Sequence, residues 1–298
     1  MIIMPSNQQI AGTSFVEDYQ FSNGSTVPIF DVSTYHALNQ IIGYIKYINK
    51  ACGTVYYRGQ CQLYPTLVPS LFRSVNNASS RQKRQRSLKQ LIQKILSDDA
   101  LKKELGITSD EQKIVIEGLL QHYGVPTHCI DVVDNHWIAL WFGANAWTQL
   151  SNKQEKPYCT YRQRSCSPNA FEKDDEYQYL ILICSDSTSK PNKHGIFQGT
   201  ATITVDLRSA LPSTFIRPHA QHGLIIKKKV SSGNEDYDLA DRVVGIFRLK
   251  TTDVITWIGN GSLLSQQNLF PAPPYDHGYD VLLSRQQDLD TYFQWYVI

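Results

Sequence analysis

Gln121-His-Tyr-Gly-Val-Pro-Thr-His-Cys-Ile-Asp-Val-Val-Asp-Asn-His-Trp-Ile-Ala-Leu-Trp-Phe142 carries a helix end, a strand and a helix start in direct succession. A helix beginning at Ser109-Asp-Glu, with Ile114, Val115, Leu119 and Leu120 at helical spacing, runs into it. Gly124 suits the C′ position, where a left-handed backbone is needed, and Pro126 keeps the helix from continuing. Residues 127–133 read as a short strand. Asp134-Asn135 then caps a helix from His136 to about Gln149. Junctions of this kind are held rigidly by the elements on either side, so polar residues there are candidates for a site.

Upstream, residues 1–29 are polar and turn-rich and are expected to form an irregular N-terminal arm. Leu38, Ile41, Ile42, Ile45 and Ile48 predict a helix within residues 32–50, with Ser33 as N-cap. Gly53-Thr-Val-Tyr-Tyr-Arg-Gly-Gln60 reads as a strand ending at Gly59. Residues 61–73, with Pro65 and Pro69, read as a loop. The basic stretch 81–94 opens a helix through Leu88, Leu91, Ile92 and Ile95. Its cations could meet phosphates, although a solvated helix face is the commoner use.

Downstream, residues 151–175 are rich in Lys, Ser and Asn and are expected to be an exposed insertion, and residues 185–199 a flexible loop. Strands are expected over 177–184, 200–207, 223–229 and 243–249. Residues 252–258 fit either a helix or a strand, and residues 276–298 are expected to be a tail packed on the domain. Helices dominate the first half and strands the second, without regular βαβ alternation. That order predicts an α+β fold rather than a doubly wound one. Neither a GxGxxG after a strand nor a GxxxxGK[ST] occurs, which removes the Rossmann and P-loop fingerprints.

With 298 residues, 42% apolar and 19% charged, the chain can build a substantial core. A net charge of +2 argues against a protein dedicated to nonspecific nucleic-acid binding, while leaving room for a local basic patch. Seventeen tyrosines fit β-rich packing first, and a stacking surface second. The start of the chain does not read as a signal peptide, and no apolar run is long enough for a membrane helix, so a cytoplasmic, membrane-free protein is expected. The six cysteines form no CxxC pair and have no ligand spacing with histidines. Free thiols and no metal are expected.

Three polar clusters stand out. Arg58 closes an apolar strand next to Gly59, where a guanidinium fork can grip a phosphate or carboxylate. The plainer alternative is an arginine that ties down a neighbouring loop. His122, at the helix end, is a candidate base or ribose donor, or simply a residue closing the helix. Gln221, in Arg217-Pro-His-Ala-Gln-His-Gly223, cannot act as an ordinary general base but can orient a water, a hydroxyl or an amide. If these form one site, Arg58, the segment from His122 to Thr127 and Gln221 must converge on one cleft.

Taken together, the clusters resemble the FRG domain family over roughly residues 30–275. The match consists of Tyr57-Arg58-Gly59 with Gln60, Val68-Pro-Ser-Leu-Phe-Arg73, and Gln121-His-Tyr-Gly-Val-Pro-Thr127. It continues through Asp131, Asn135, Ala139-Leu-Trp-Phe142, Arg217, Gln221, Gly223 and Leu269-Phe-Pro271. His128 stands where the family usually has Arg, and Val132-Val133 where it has Trp-Thr. A weaker resemblance is to ADP-ribosyltransferases of the Arg-Ser-Glu type, with Arg58 on the early strand and Gln221 where those enzymes carry Glu. These resemblances imply a split-sheet α+β domain acting on NAD as an ADP-ribosyltransferase or glycohydrolase, in a bacterial or phage conflict system. Arg58, His122 and Gln221 would be catalytic. Tyr57, Arg58, Gly59, Gln60, Gln121, Tyr123, Thr127, Asp131 and Arg217 would hold the dinucleotide, and a protein or nucleic acid would be the acceptor. A noncatalytic nucleotide- or nucleic-acid-binding module and a purely structural scaffold remain the alternatives.

Overall fold

The computed structural model describes residues 1–75, 77–109, 112–149, 158–164, 176–187, 195–231, 236–279 and 296–297. Its N-terminus departs from the expected irregular arm. Thr13–Gln20 (β1) and Thr26–Val32 (β2) form an antiparallel hairpin, with Gly24 at φ +86° in the turn. Val27, Ile29, Phe30 and Val32 are buried because β2 pairs with a strand far later in the chain, which no local pattern announces. Tyr35–Asn49 (α1) follows, and Thr34 rather than Ser33 caps it by accepting from the Ala37 N–H.

Thr54–Gln60 (β3), Ala78–Leu96 (α2) and Lys113–His122 (α4) fall where the pattern places them, with Asp99–Glu104 (α3) added between the two helices. Cys129–Val133 (β4) leads to His136–Ala144 (α5), capped by Asn135. The helix expected to reach about Gln149 stops at Ala144. Asn145–Gln149 (β5) instead pairs with Tyr158–Gln163 (β6), so a strand lies inside the expected exposed insertion. Apart from Arg164, the rest of residues 150–175 lies outside the described residues.

Tyr177–Ser185 (β7), Ile196–Gln198 (β8), Thr202–Asp206 (β9), Gly223–Lys228 (β10) and Val243–Lys250 (β11) supply the strand-rich second half. β8 falls inside the expected loop, whose residues 188–194 lie outside the described residues. Among the strands lie Leu207–Ala210 (α6) and Ile216–Ala220 (α7). Thr251–Trp257 (α8) resolves the helix-or-strand ambiguity as helix, followed by Gln266–Leu269 (α9) and Tyr296–Val297 (β12).

The result is an α+β architecture in which, among the described residues, a nine-stranded mixed sheet is ordered β1-β2-β11-β7-β3-β4-β10-β9-β8, with a small sheet β12-β6-β5. Side chains alternate across β7: Leu180, Leu182 and Cys184 face α1, α5 and α8, while Ile181 and Ile183 face the other side. On the helical side, α1, α5 and α8 cover β11, β7 and β3. A second group, α2, α3 and α4, covers β4, β10 and β9. The groups meet over the centre of the sheet.

There the sheet parts. β3 and β4 share a single pair, Tyr57 with Val133, and then diverge, whereas β3 is fully laddered to β7 and β4 to β10. Two local constraints hold this arrangement. A Cβ at Gly59 would lie 1.6 Å from the Ala139 carbonyl oxygen, so the glycine lets α5 rest on the backbone of β3. On the other side, buried Glu117 of α4 receives Lys227 Nζ of β10 at 2.7 Å and faces His128 Nδ1 at 2.7 Å.

Candidate functional site

The parting of β3 and β4 is a cavity of about 740 Å³, within the usual range of small-ligand pockets. Residues of both sheet faces reach it. Arg58, Gln121, His122, Tyr123, Asp131, Arg217 and Gln221 all line it, as do Tyr57, Gly59 and Gln60. Thr127 lies just behind, fully buried.

The α4 end is built by the backbone. Gly124, at φ +94°, donates to Gln121 O, and Val125 donates to Leu120 O at 2.9 Å, the paired closure of a Schellman motif. This turns the chain so that Gln121 and Asp131 face one another. Gln121 Nε2 donates to Asp131 Oδ2 at 2.6 Å, and Gln121 Oε1 accepts from Thr127 Oγ1 at 2.7 Å. Thr127 therefore fixes which way the amide points from behind the cavity wall.

His122 is buried, with Nδ1 3.8 Å from Asp131 Oδ1. Its ring packs on Gly223, where a Cβ would lie 2.6 Å from His122 Cε1. Burial foremost, and the charge of Arg217, push its pKa below the ordinary imidazole value against the pull of Asp131. The ring is thus neutral at physiological pH. For Asp131, burial acts upward, but the facing His122, the Gln121 amide and the Arg58 charge together hold the carboxyl below its ordinary range. It is the one carboxylate among the described residues lining the cavity.

Arg58 Nη1 donates to the Asp131 carbonyl oxygen at 2.7 Å, bridging the parted strands. Burial first, then the nearby charge of Arg73, brings its pKa down to about 10, so it stays charged at neutral pH. Arg58 Nε, His122 Nε2 and Asp131 Oδ1 are all buried without a hydrogen-bond partner. Such groups are rare in folded proteins, and three on adjoining residues mark a place where a polar ligand or water is wanted.

Other expected site residues are occupied structurally. Tyr57 is 1% exposed, its ring packed against His136 and under Lys46 Nζ at 5.0 Å. Gly59 serves the approach of α5. Tyr123 OH donates to Asp276 at 2.6 Å and 2.7 Å to its two oxygens. Arg217 lies over the Tyr123 and Phe270 rings, at 5.0 Å and 4.6 Å, and donates to Tyr279 OH. Gln221 Nε2 donates to Leu269 O at 2.8 Å. Gln60 borders the cavity with no structural bond of this kind described.

Sequence reasoning missed the cavity's aromatic wall. Phe142, Tyr161 and Phe270 pack together, Tyr161 stacking on Phe270 at 5.1 Å, and Trp147 stands beside them. Phe142 and Phe270 lie in motif segments and could have been nominated. Tyr161 lies in a polar stretch with no signal. Ser70 and Arg73, also at the cavity, come from the Val68–Arg73 segment.

Residues 53–153 match the FRG domain family, so the stretch from the start of β3 past β5 is an FRG domain. Arg217, Gln221 and Phe270 lie outside the matched residues, yet the fold brings them to the same cavity. Curated proteins and solved structures gave no match to the chain. Cys52, Cys61, Cys129 and Cys184 are free thiols. Among the described residues, no helix is long and apolar enough to cross a membrane, and no cluster of His, Cys, Asp or Glu is placed to hold a metal ion.

Proposed function

We propose that the cavity takes NAD and that the protein cleaves its nicotinamide–ribose bond, as an ADP-ribosyltransferase or glycohydrolase acting in the cytoplasm of a bacterial or phage conflict system. The observation that carries this is one cavity holding an ionised carboxylate, a neutral imidazole, three guanidinium groups and an aromatic wall. The unpartnered buried atoms of Arg58, His122 and Asp131 and a volume of about 740 Å³ fit a ligand with several polar groups.

Breaking such a bond builds positive charge on the ribose, much as in glycoside hydrolysis. Asp131 opposes that charge from a site already organised by Gln121 and Thr127, which spares reorganisation during the reaction. Asp131 thus joins Arg58 and His122 in the proposed chemistry, while Gln221 Nε2 is engaged with Leu269 O. Arg58 and Arg73 supply the cationic end for the diphosphate. Trp147 and Tyr161 offer faces for a ring to stack on and exclude water. His122 offers its neutral ring to a ribose hydroxyl.

The test is incubation of the whole chain with labelled NAD and candidate protein, DNA and RNA acceptors, following released nicotinamide and label transfer. Loss of both products in Asp131→Asn, with NAD affinity retained, is expected. Absence of NAD binding by the wild type in calorimetry overturns the reading. A second reading, a noncatalytic nucleotide-binding module, is favoured by the internal bonds that engage Gln221 and one arm of Arg58. Tight NAD binding without turnover would select it.

A further inference from the structure

Beyond the cavity, α2 has a charge pattern that packing does not require. Arg81, Lys83, Arg84, Arg86, Lys89 and Lys94 lie on it with no acidic residue between Ala78 and Leu96. Those six cations exceed the net charge of the whole chain, +2. Leu88, Leu91 and Ile95 turn its apolar side into the core, so the cations line the outward face and one flank.

The flank leads to the cavity. Arg81 Nε donates to Val75 O, and Arg84 Nη1 donates to Leu71 O and Arg73 O. These bonds hold the segment that brings Ser70 and Arg73 to the cavity wall. On the outward face, Lys83, Arg86 and Lys89 are exposed, and no described carboxylate is within ion-pair distance of them. From Lys83 to Lys94 the helix rises about 16 Å. Arg73, which Arg84 holds, shares the cavity wall with Tyr64 and Trp147, whose side chains are 43% and 44% exposed.

We infer that this face binds single-stranded nucleic acid, its backbone running along α2 and a base meeting the aromatic side chains at the cavity. Cations alternating with glutamines suit phosphates. Adjoining aromatics suit unstacked bases, as in sequence-tolerant single-strand binding. A membrane partner fits less well, because the apolar side of α2 is spent in the core and leaves nothing to insert. The inference does not depend on NAD cleavage.

The experiment is fluorescence anisotropy on the full chain, without NAD, using labelled oligo-dT and oligo-rU across a salt series. The comparison is with the Lys83→Gln, Arg86→Gln, Lys89→Gln triple variant, whose sites are exposed and whose melting curve should match the wild type. Wild type should bind, and the variant's affinity should fall about tenfold or more at low salt. Its log–log salt slope should shrink by about 2, as expected for three lost phosphate contacts at roughly 0.7 each. Equal strength on the two strands would mean the shared phosphate chemistry is read; preference for one would assign the natural source. No binding by wild type, an unchanged variant, or equal binding to polyglutamate or phosphatidylserine vesicles overturns the inference.

Discussion

Asp131 joins the two strands' worth of site chemistry in one residue. Its backbone carbonyl accepts from Arg58, and its side chain faces His122 and Gln121. Replacing it with Asn keeps size and most hydrogen bonding but removes the charge that opposes a developing cation. NAD turnover by Asp131→Asn should fall about 10²–10³-fold, the range for losing one preorganised electrostatic contact, while the NAD dissociation constant stays close to wild type. Steady-state nicotinamide release alongside calorimetry checks both. Arg58→Lys should act on two properties. It loses the planar fork, weakening NAD binding by roughly 1.5–3 kcal/mol, and it loses the bond across the parted strands, lowering the melting temperature as well. An arginine facing only an open cleft would affect affinity alone. Paired calorimetry and melting curves distinguish the two.

At the scale of elements, α5 on β3 and α4 on β10 hold the cavity open. Gly59→Ala should destabilise by an amount at or above the usual overpacking cost of about 1–3 kcal/mol, because its Cβ would sit 1.6 Å from backbone rather than from a flexible side chain. Urea denaturation measures this directly. Glu117 locks α4 to β10, and its pKa is held down to about 2 from 4.5. Burial acts upward there, but His128 and Lys227 outweigh it. A depressed carboxyl contributes stability above its unfolded pKa and loses it as pH falls. Between about pH 4.5 and 2 the protein should therefore lose on the order of 3 kcal/mol from this group. Glu117→Gln should be less stable at pH 7 and show a flatter acid limb in pH-dependent unfolding. An acid limb identical to wild type would remove the lock.

Across the whole molecule, the C-terminal region closes the cavity that the early strands open. Asp276 is 1% exposed and is held by Tyr123, while Arg217 sits among Tyr123, Phe270 and Tyr279. Burial first, and then Asp276, push the Tyr123 hydroxyl well above its ordinary pKa, so it remains a donor throughout the physiological range. Tyr123→Phe should cost about 1.5–3 kcal/mol, the worth of a hydrogen bond to a charged group, measured by urea unfolding. Limited proteolysis should also cut earlier around Asp276 in the variant. Stability and cleavage both unchanged would show that this contact does not hold the segment around Asp276.

The sequence by itself determined the α+β order, the Schellman end of α4, the Asn135 cap and the FRG stretch. Each rests on neighbours a few residues apart: Gly124 beside Pro126, an asparagine before an apolar helix, a run of β-branched and aromatic residues. It also nominated most of the polar residues that share the cavity, because they cluster at element ends. Only the tertiary structure decided that 1–29 holds a sheet hairpin, that 145–149 and 158–163 are strands, and that Tyr161 joins an aromatic wall. Those placements depend on partners distant in the chain, such as Ile29 with Ile246 or Trp147 with Tyr161, and a polar or turn-rich window cannot show them. Roles were decided at the same level. Tyr57, Gly59, Tyr123 and Gln221 read alike as ligand residues in sequence; the structure places all four at the cavity and also engages them in packing or hydrogen bonds of the fold. Asp131, reached by Arg58 across strands that fail to pair, is left facing the cavity with its charge.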